Sequence, residues 1–220
     1  MSLISEKRIS ILISGRGSNM DAFLKAQRRG ALSGQVVRVI SNRPDAAGLA
    51  TALDADVATT IVDHTLYESR EAFDAALVEA VKQDNPDVVV LAGFMRILTP
   101  VFIDAFMGRL VNVHPSLLPN YPGLNTHQRA IDNGDGEAGA TVHYVTNELD
   151  GGPPILQVSV QIESGTDAAS LAGRILAFEH IIFPEAVNWH LQGRLVHEAD
   201  GAYLDGSKLP PTGKLWQWQA

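Results

Sequence analysis

Asn112 and His114 are the residues of this 220-residue sequence whose types and spacing are best suited to chemistry. They stand two apart at the end of an apolar run, and alternate residues of a strand point to the same face of a sheet. That face would carry an amide that can donate a hydrogen bond and an imidazole that can move a proton near neutral pH. Pro115, Pro119 and Pro122 predict a rigid turn directly after the strand.

Asp150, in an Asp-Gly-Gly-Pro turn further along the chain, is the candidate partner of this imidazole. An ionised carboxylate beside His114 would favour the imidazolium form. An oxyanion donor and a proton carrier are what the tetrahedral intermediate of acyl transfer requires. The sequence has no Gly-x-Ser-x-Gly elbow, which favours direct attack by a substrate nucleophile over an acyl-enzyme. A structural alternative stays open, because a His at a strand end and an Asp in a turn are common without function.

A second candidate site is the glycine loop, residues 15–19, which lies between the first predicted strand and a helical pattern. Backbone N–H groups at such a helix start favour an anion. A dinucleotide fingerprint would need a glycine where Met20 stands and an acid after the second strand, where the chain has Ser41-Asn42-Arg43. Gly17, Ser18 and Asn19 therefore predict a monophosphate site, with a purely structural tight turn as the alternative.

Composition narrows the class of protein. The net charge is −8, from 17 basic and 25 acidic residues, which argues against a general binder of nucleic acid or of anionic membranes. The chain has no cysteine, so disulfides, a thiolate nucleophile and Cys-based zinc sites are excluded. No His, Asp and Glu residues show metal-ligand spacing, so we expect no metal. No apolar segment is long enough for a membrane span, and we expect a cytoplasmic protein.

Strand and helix patterns alternate along the first half of the chain, which predicts an α/β fold with a doubly wound, mostly parallel sheet and helices on both faces. The predicted strands are 9–13, 36–40, 59–62, 88–92 and 110–114. The predicted helices are 20–29, 45–53, one with Ser69 as its N-cap that runs to about 83, and one that starts with Thr99 as N-cap and Pro100 in its first turn. The pattern then changes. A helix at 126–133, strands at 140–145 and 155–162, a long helix at 166–192 and a hairpin at 195–204 predict an antiparallel extension of the sheet.

Four motifs together resemble the phosphoribosylglycinamide formyltransferases. They are Asn-Val-His-Pro-Ser-Leu-Leu-Pro from Asn112 to Pro119, Gly17-Ser18-Asn19, Met95-Arg96-Ile97-Leu98, and Glu-Leu-Asp-Gly-Gly-Pro from Glu148 to Pro153. The resemblance runs from about Arg8 to Pro211. The His-Pro-Ser-Leu-Leu-Pro segment is shared with other formyl-handling enzymes, and the Gly-Ser-Asn loop makes the match specific.

The resemblance implies a Rossmann-like formyltransferase fold and a defined reaction. A formyl group would move from 10-formyltetrahydrofolate, the co-substrate, to the amine of N1-(5-phospho-D-ribosyl)glycinamide, in the third step of purine (IMP) biosynthesis. Its partners would be small molecules, with no nucleic acid and no membrane, and the protein would be a monomer or homodimer. We expect one domain over residues 1–220, with a nucleotide-binding half at 8–114, a folate and catalytic half at 115–211, and a tail at 212–220. Whether this tail, with Trp216 and Trp218, is ordered stays open.

The resemblance also assigns roles to residues. The catalytic group would be Asn112, His114 and Asp150; the nucleotide would bind at Gly17, Ser18, Asn19 and Glu179; and folate would bind at Arg70, Met95, Arg96, Ile97, Leu98 and Asn112. The loop at 146–150 would close over the pterin. Asn125 stands where the family often has a His, which leaves the local network beside Asp150 open.

Several of these residues have simpler interpretations. Met95, Ile97 and Leu98 could be core residues, Arg70 could be a solvated charge, and Glu179 with His180 could be a surface pair on a long helix. We expect His143, in an apolar strand, to be a structural His with satisfied nitrogens, and His127 to lie behind the site.

Three rival functions stay open on the sequence. A hydrolase of the same folate would be expected to carry an extra N-terminal domain, whereas the first strand here begins near Lys7. A formyltransferase acting on initiator tRNA would need a further C-terminal domain and a basic face. A non-catalytic nucleotide-binding protein would use the glycine loop alone.

Overall fold

The structure, a computed structural model, describes residues 6–217, and Trp218 of the tail lies outside this range. The strands are β1 (Arg8–Ile13), β2 (Gln35–Ser41), β3 (Ala58–Ile61), β4 (Val88–Leu91), β5 (Leu110–His114), β6 (Glu137–Tyr144), β7 (Pro154–Gln161), β8 (Leu195–Glu198), β9 (Gly201–Leu204), β10 (Ser207–Lys208) and β11 (Lys214–Leu215). The helices are α1 (Ser18–Arg28), α2 (Gly48–Leu53), α3 (Arg70–Lys82), α4 (Pro100–Ala105), α5 (Thr126–Asp132) and α6 (Ala168–Leu191), with a 3₁₀ turn at His64–Leu66.

Eight strands form one sheet in the order β11-β7-β6-β5-β4-β1-β2-β3. The pairs from β5 to β3 are parallel, whereas β6 runs antiparallel to both β5 and β7. A separate antiparallel sheet contains β10, β9 and β8. The predicted fold class and the antiparallel extension are confirmed. None of the helices within residues 6–217 is long and apolar enough to cross a membrane.

The central strands are continuous apolar runs because helices cover the sheet on both faces. One face packs on α1, α2 and α6, where Phe23, Leu49 and Phe183 are buried. The other packs on α3 and α4, where Phe73 and Phe102 are buried. Two hydrophobic layers therefore fix the sheet between them.

Of the two residues predicted as helix caps, Ser69 caps its helix and Thr99 does not. The Ser69 hydroxyl accepts a hydrogen bond from the N–H of Ala72 at the start of α3, as predicted. Thr99 precedes Pro100, the first residue of α4, but its side chain does not cap that helix. The Thr99 hydroxyl instead donates to the buried Asp74 carboxylate at 2.7 Å, which ties α4 to α3.

The carboxyl ends of β1, β4 and β5 lie side by side, because these strands are parallel neighbours in the sheet. The chain reverses its direction of winding between β1 and β4, and such a point in a doubly wound sheet leaves a crevice for ligands. The glycine loop follows β1, residues 93–98 follow β4, and the Pro-rich turn follows β5. Three predicted binding segments therefore border one crevice.

Part of the C-terminal tail is ordered against the sheet. Lys214–Leu215 pair in parallel with β7 as a two-residue strand, which no pattern in the sequence predicts. The Trp216 ring packs on Phe178 at 5.9 Å between ring centroids, and its Nε1 donates to Glu185 at 3.0 Å. The tail thus covers the open edge of β7.

Candidate active site

Four polar side chains share one face of the sheet where β5 meets β6. Asn112 and His114 alternate along β5, and the antiparallel register places His143 opposite Asn112 and Thr141 opposite His114. Residues directly opposite each other in an antiparallel pair have side chains on the same face. The strand pairing therefore assembles a polar cluster from two segments about 30 residues apart in sequence.

The His114 imidazole is buried between two oxygen acceptors. Its Nε2–H donates to the carbonyl oxygen of Tyr121 at 2.9 Å, and its Nδ1 lies 3.5 Å from Oδ2 of Asp150. The carbonyl can only accept, and an ionised carboxylate can only accept. The Tyr121 carbonyl therefore accepts the proton of Nε2, and Nδ1 faces the carboxylate of Asp150. The structure thus brings His114 and Asp150 together.

Asp150 is held by the backbone of its own turn and of the Pro-rich turn. Its φ of 51° is left-handed, and Oδ2 accepts a hydrogen bond from the N–H of Gly123 at 2.8 Å. Gly152 must be glycine, because a Cβ there would lie 1.9 Å from the carbonyl oxygen of Tyr144. This close approach lets the chain leave β6, turn at Asp150 and return as β7.

His143 orients the amide of Asn112, a role that the sequence did not indicate. Burial lowers the pKa of His143 to about 4, so the ring is neutral near pH 7. Its Nδ1–H donates to the carbonyl of Tyr144 at 2.9 Å, which leaves Nε2 to accept from Nδ2 of Asn112 at 3.2 Å. Both ring nitrogens are satisfied, as predicted, and the second Nδ2 hydrogen of Asn112 remains for a ligand.

The Pro-rich turn that carries the Tyr121 carbonyl is anchored beneath the site. The Thr141 hydroxyl accepts from the N–H of Leu118 at 3.0 Å and donates to the carbonyl of Ser116 at 2.7 Å. The buried Gln157 amide adds a bond to the Leu118 carbonyl at 2.7 Å. Behind this turn, burial and then the nearby His114 lower the pKa of His127. Asn125 is exposed, in a left-handed conformation at the start of α5.

The glycine loop has the geometry of an anion site. Gly17 has a φ of 72° and precedes α1 without a side-chain cap. The N–H groups of Gly17, Ser18 and Asn19 meet no acceptor among residues 6–217. Free N–H groups at a helix start and the positive end of the helix dipole attract a phosphate. Arg16, in the same loop, is exposed.

Glu179 is buried beside this loop and is not a surface residue of α6. It is 6% exposed, and it accepts a hydrogen bond from Nδ2 of Asn19 at 2.8 Å. Burial raises the pKa of the Glu179 carboxyl, and the Asn19 hydrogen bond opposes that shift. Oδ1 of Asn19 is buried with no partner among the described residues. Both side chains therefore have hydrogen-bonding capacity left for a ligand.

Residues 93–98, which we call the folate loop after the ligand that the resemblance implies for Met95 to Leu98, present apolar side chains to solvent. Met95 and Ile97 are 68% and 60% exposed, so their interpretation as core residues is wrong, whereas Leu98 is buried against α3 and α4. Arg70 donates a hydrogen bond to the carbonyl of Ile97, so it is not simply a solvated charge. The Arg96 guanidinium lies 5.1 Å from the centre of the Phe73 ring. Residues 6–217 contain no group of three or more His, Asp and Glu side chains that could hold a metal ion.

An α/β sheet with an amide, an imidazole and a carboxylate at one crevice is the kind of site that acyl-group transfer requires. Comparison with known proteins identifies the family. The model of the family described as formyl transferase matches residues 7–187. Phosphoribosylglycinamide formyltransferase of Escherichia coli is 48% identical over 205 residues, covering 93% of this chain and 97% of that protein. The Haemophilus influenzae protein of the same name is 40% identical over 207 residues, covering 94% and 98%.

Solved structures agree. Phosphoribosylglycinamide formyltransferase from Coxiella burnetii superposes with a TM-score of 0.93 at 42% identity, over 97% of this chain and all of that one. Glycinamide ribonucleotide transformylase 1 from Symbiobacterium toebii gives 0.88 at 45% identity, over 90% and 94%. The chain therefore belongs to the formyl transferase family, in the branch of the phosphoribosylglycinamide formyltransferases.

The burial of neutral His143 predicts a pH dependence of stability. Between about pH 6.5 and 4 the unfolded chain binds a proton on His143 that the folded chain does not, so the free energy of unfolding should fall as pH is lowered. One such proton contributes a slope of up to about 1.4 kcal/mol per pH unit. His143→Gln, which cannot titrate, should show a shallower fall in urea unfolding measured from pH 7 to 4.5. Parallel plots of unfolding free energy against pH for the two proteins would show that folding does not lower the pKa of His143.

Proposed function

We propose that this protein transfers the formyl group of 10-formyltetrahydrofolate to the amine of N1-(5-phospho-D-ribosyl)glycinamide. The products are the N2-formyl nucleotide and tetrahydrofolate, and the reaction is the third step of purine biosynthesis. The observation that carries this proposal is the convergence of Asn112, His114 and Asp150 at the crevice, in a chain of this family. We infer that its partners are small molecules and that it works in the cytoplasm as a monomer or homodimer.

The chemistry follows from the two donors at the formyl carbon. The amine attacks that carbon, a C–N bond forms, and the formyl oxygen becomes an oxyanion. Asn112 Nδ2 and the His114 imidazolium stabilise this charge. The bond from the formyl carbon to folate N10 then breaks, and the proton lost by the amine goes to N10 through water beside Asp150. Atoms and charge balance without a metal or a covalent enzyme intermediate.

The two substrates would occupy different segments of the crevice. The phosphate would sit on the N–H groups of Gly17, Ser18 and Asn19, and Glu179 would accept hydrogen bonds from the ribose hydroxyls or the glycinamide. Its free oxygen and the unpartnered Oδ1 of Asn19 are both acceptors, as hydroxyl donors require. These groups are the nucleotide half of the proposed site.

Folate would bind across the carboxyl end of β4. The N–H groups of Arg96, Ile97 and Leu98 have no partner within residues 6–217, so they are free to bond the pterin. The exposed Met95 and Ile97 side chains would cover its ring, and the exposed Arg70 would lie near the carboxylates of the folate tail. The formyl group would lie at Asn112. Residues 146–150, which include the exposed Leu149, would close over the pterin.

The first test is whether release of folate depends on the nucleotide. Purified protein should deformylate a 10-formylfolate rapidly when N1-(5-phospho-D-ribosyl)glycinamide is present and hardly at all when it is omitted. Deformylation can be followed continuously by absorbance. Equal rates with and without the nucleotide would identify a folate hydrolase instead, and binding of the nucleotide without turnover would identify a non-catalytic binder.

Asp150→Asn should lower kcat strongly while both substrates still bind. A neutral amide cannot stabilise positive charge on the His114 imidazole during the reaction as a carboxylate does. Loss of one oxyanion-stabilising group typically costs roughly a hundred- to a thousand-fold in rate. His114→Asn should be comparably severe, and the double variant should lose less than the product of the two losses, because the pair acts as a unit.

The measurement is the nucleotide-dependent rate of folate deformylation for the wild type and the three variants across pH. Near-full activity of Asp150→Asn with an unchanged pH profile would remove Asp150 as the partner of His114. Losses that simply multiply in the double variant would show that the two residues act independently.

Gly17→Leu should weaken nucleotide binding and leave folate binding nearly intact. A side chain at a φ of 72° is strained, and its Cβ would meet Met20 at 3.3 Å and Gly48 at 3.4 Å, so the loop must shift. Gly30→Leu is the matched control, because Gly30 has a φ of 69° at the other end of α1, where an added Cβ meets nothing within 4 Å. Titration calorimetry with each substrate separates the effects, and equal loss of both substrates in Gly17→Leu would contradict the assignment.

A further inference from the structure

The Ser14 hydroxyl links the segments that border the crevice. Ser14 lies between β1 and the glycine loop, and its Oγ accepts a hydrogen bond from the N–H of Met95 in the folate loop at 2.8 Å. The same hydroxyl donates to Oδ1 of Asn42 at 2.6 Å, and the Ser14 N–H donates to the carbonyl of Gly93 at 3.2 Å. Ser14, the residue directly before the glycine loop, therefore forms two hydrogen bonds with the folate loop.

The orientation of this hydroxyl is fixed by its surroundings. Ser14 is buried, and Asn42 is buried at the end of β2, where Nδ1 of His64 donates to the Asn42 carbonyl at 2.8 Å. Because the Ser14 proton points to Asn42, a lone pair of Oγ faces Met95. The glycine loop is held on its other side as well, since Gly48 N–H donates to the carbonyl of Gly15 at 3.0 Å.

We propose that Ser14 is a positioning residue that sets the folate loop at a fixed distance from the glycine loop, and so sets folate against the nucleotide. This inference rests on the proposed function, because it assigns Ser14 a part in aligning the two substrates of that reaction. Without the hydroxyl, the Met95 N–H would lose its acceptor, and the exposed side chains of Met95 and Ile97 could not replace that link.

Alignment at this point matters because both substrates are held by loops. The attacking nitrogen and the formyl carbon must approach to about 3–3.5 Å, and a misplacement of about 1 Å can cost roughly a hundred-fold in rate. The folate loop follows β4 and the glycine loop follows β1, so the Ser14 bonds cross between the strands that carry the two ligands. Loosening them should weaken folate binding first, because Met95 belongs to the folate loop.

The test compares Ser14→Ala with Ser10→Ala in the full chain. Ser10 is fully buried on β1, the strand that leads to Ser14, and its hydroxyl has no partner among the described residues, so its removal breaks no hydrogen bond. Ser14→Ala should raise the KM for 10-formyltetrahydrofolate roughly tenfold, as expected when one partly buried N–H loses its acceptor. The KM for the nucleotide should change much less. Ser10→Ala should keep wild-type constants, and Ser14→Thr, which retains the hydroxyl, should restore the KM for folate.

Each other outcome has a defined meaning. An unchanged KM for folate together with an unchanged kcat in Ser14→Ala would reduce Ser14 to a residue of the fold and overturn the proposal. An equal rise in Ser14→Thr would show that the hydroxyl is not the cause and would overturn it too. If Ser14→Ala does not fold, Asn42→Ala should raise the same KM by releasing the hydroxyl, and no change there would also overturn it. A wild type without nucleotide-dependent turnover would instead refute the proposed function.

Discussion

The antiparallel pairing of β5 with β6 is the constraint on which the site depends. A shift of one residue in this register would move His143 and Thr141 to the opposite face of the sheet, because strand side chains alternate. Asn112 would then lose the nitrogen that orients its amide, and the Pro-rich turn would lose its anchor. The same pairing sets where β6 ends and so where the turn with Asp150 begins. One register therefore brings the amide and the imidazole of β5 together with the carboxylate from the turn between β6 and β7.

The parallel half of the sheet supplies the binding loops, and the hydrophobic layers on its two faces keep their spacing fixed. Most buried polar groups near these loops form hydrogen bonds, since burial without a partner is costly. Asn19 and Glu179 meet from α1 and α6, and Oδ1 of Asn19 has no partner among the described residues. The site thus joins the sheet edge to loops in which several backbone N–H groups have no acceptor among the described residues.

Local patterns predicted the longer helices and strands, and within the site they predicted the placement of Asn112 and His114. Leu110–His114 was predicted residue for residue, because its apolar run is continuous and the period of two places Asn112 and His114 on one face. The role of His143 was not predictable, since it depends on a register between segments that local sequence does not encode. The burial of Glu179 arises from the packing of α6 on α1, which joins residues 160 positions apart. The strand Lys214–Leu215 is too short to show any period.

The central claim is that Asn112 and His114 act on the formyl group while the nucleotide amine attacks it. The most direct measurement is a crystal structure with the nucleotide and a folate analogue whose carbonyl group replaces the formyl group and cannot be transferred. The account predicts the carbonyl oxygen within hydrogen-bond reach of Asn112 Nδ2 and His114 Nδ1, and the amine about 3–3.5 Å from the carbonyl carbon. A carbonyl group bound away from both side chains, with the amine facing another residue, would contradict it.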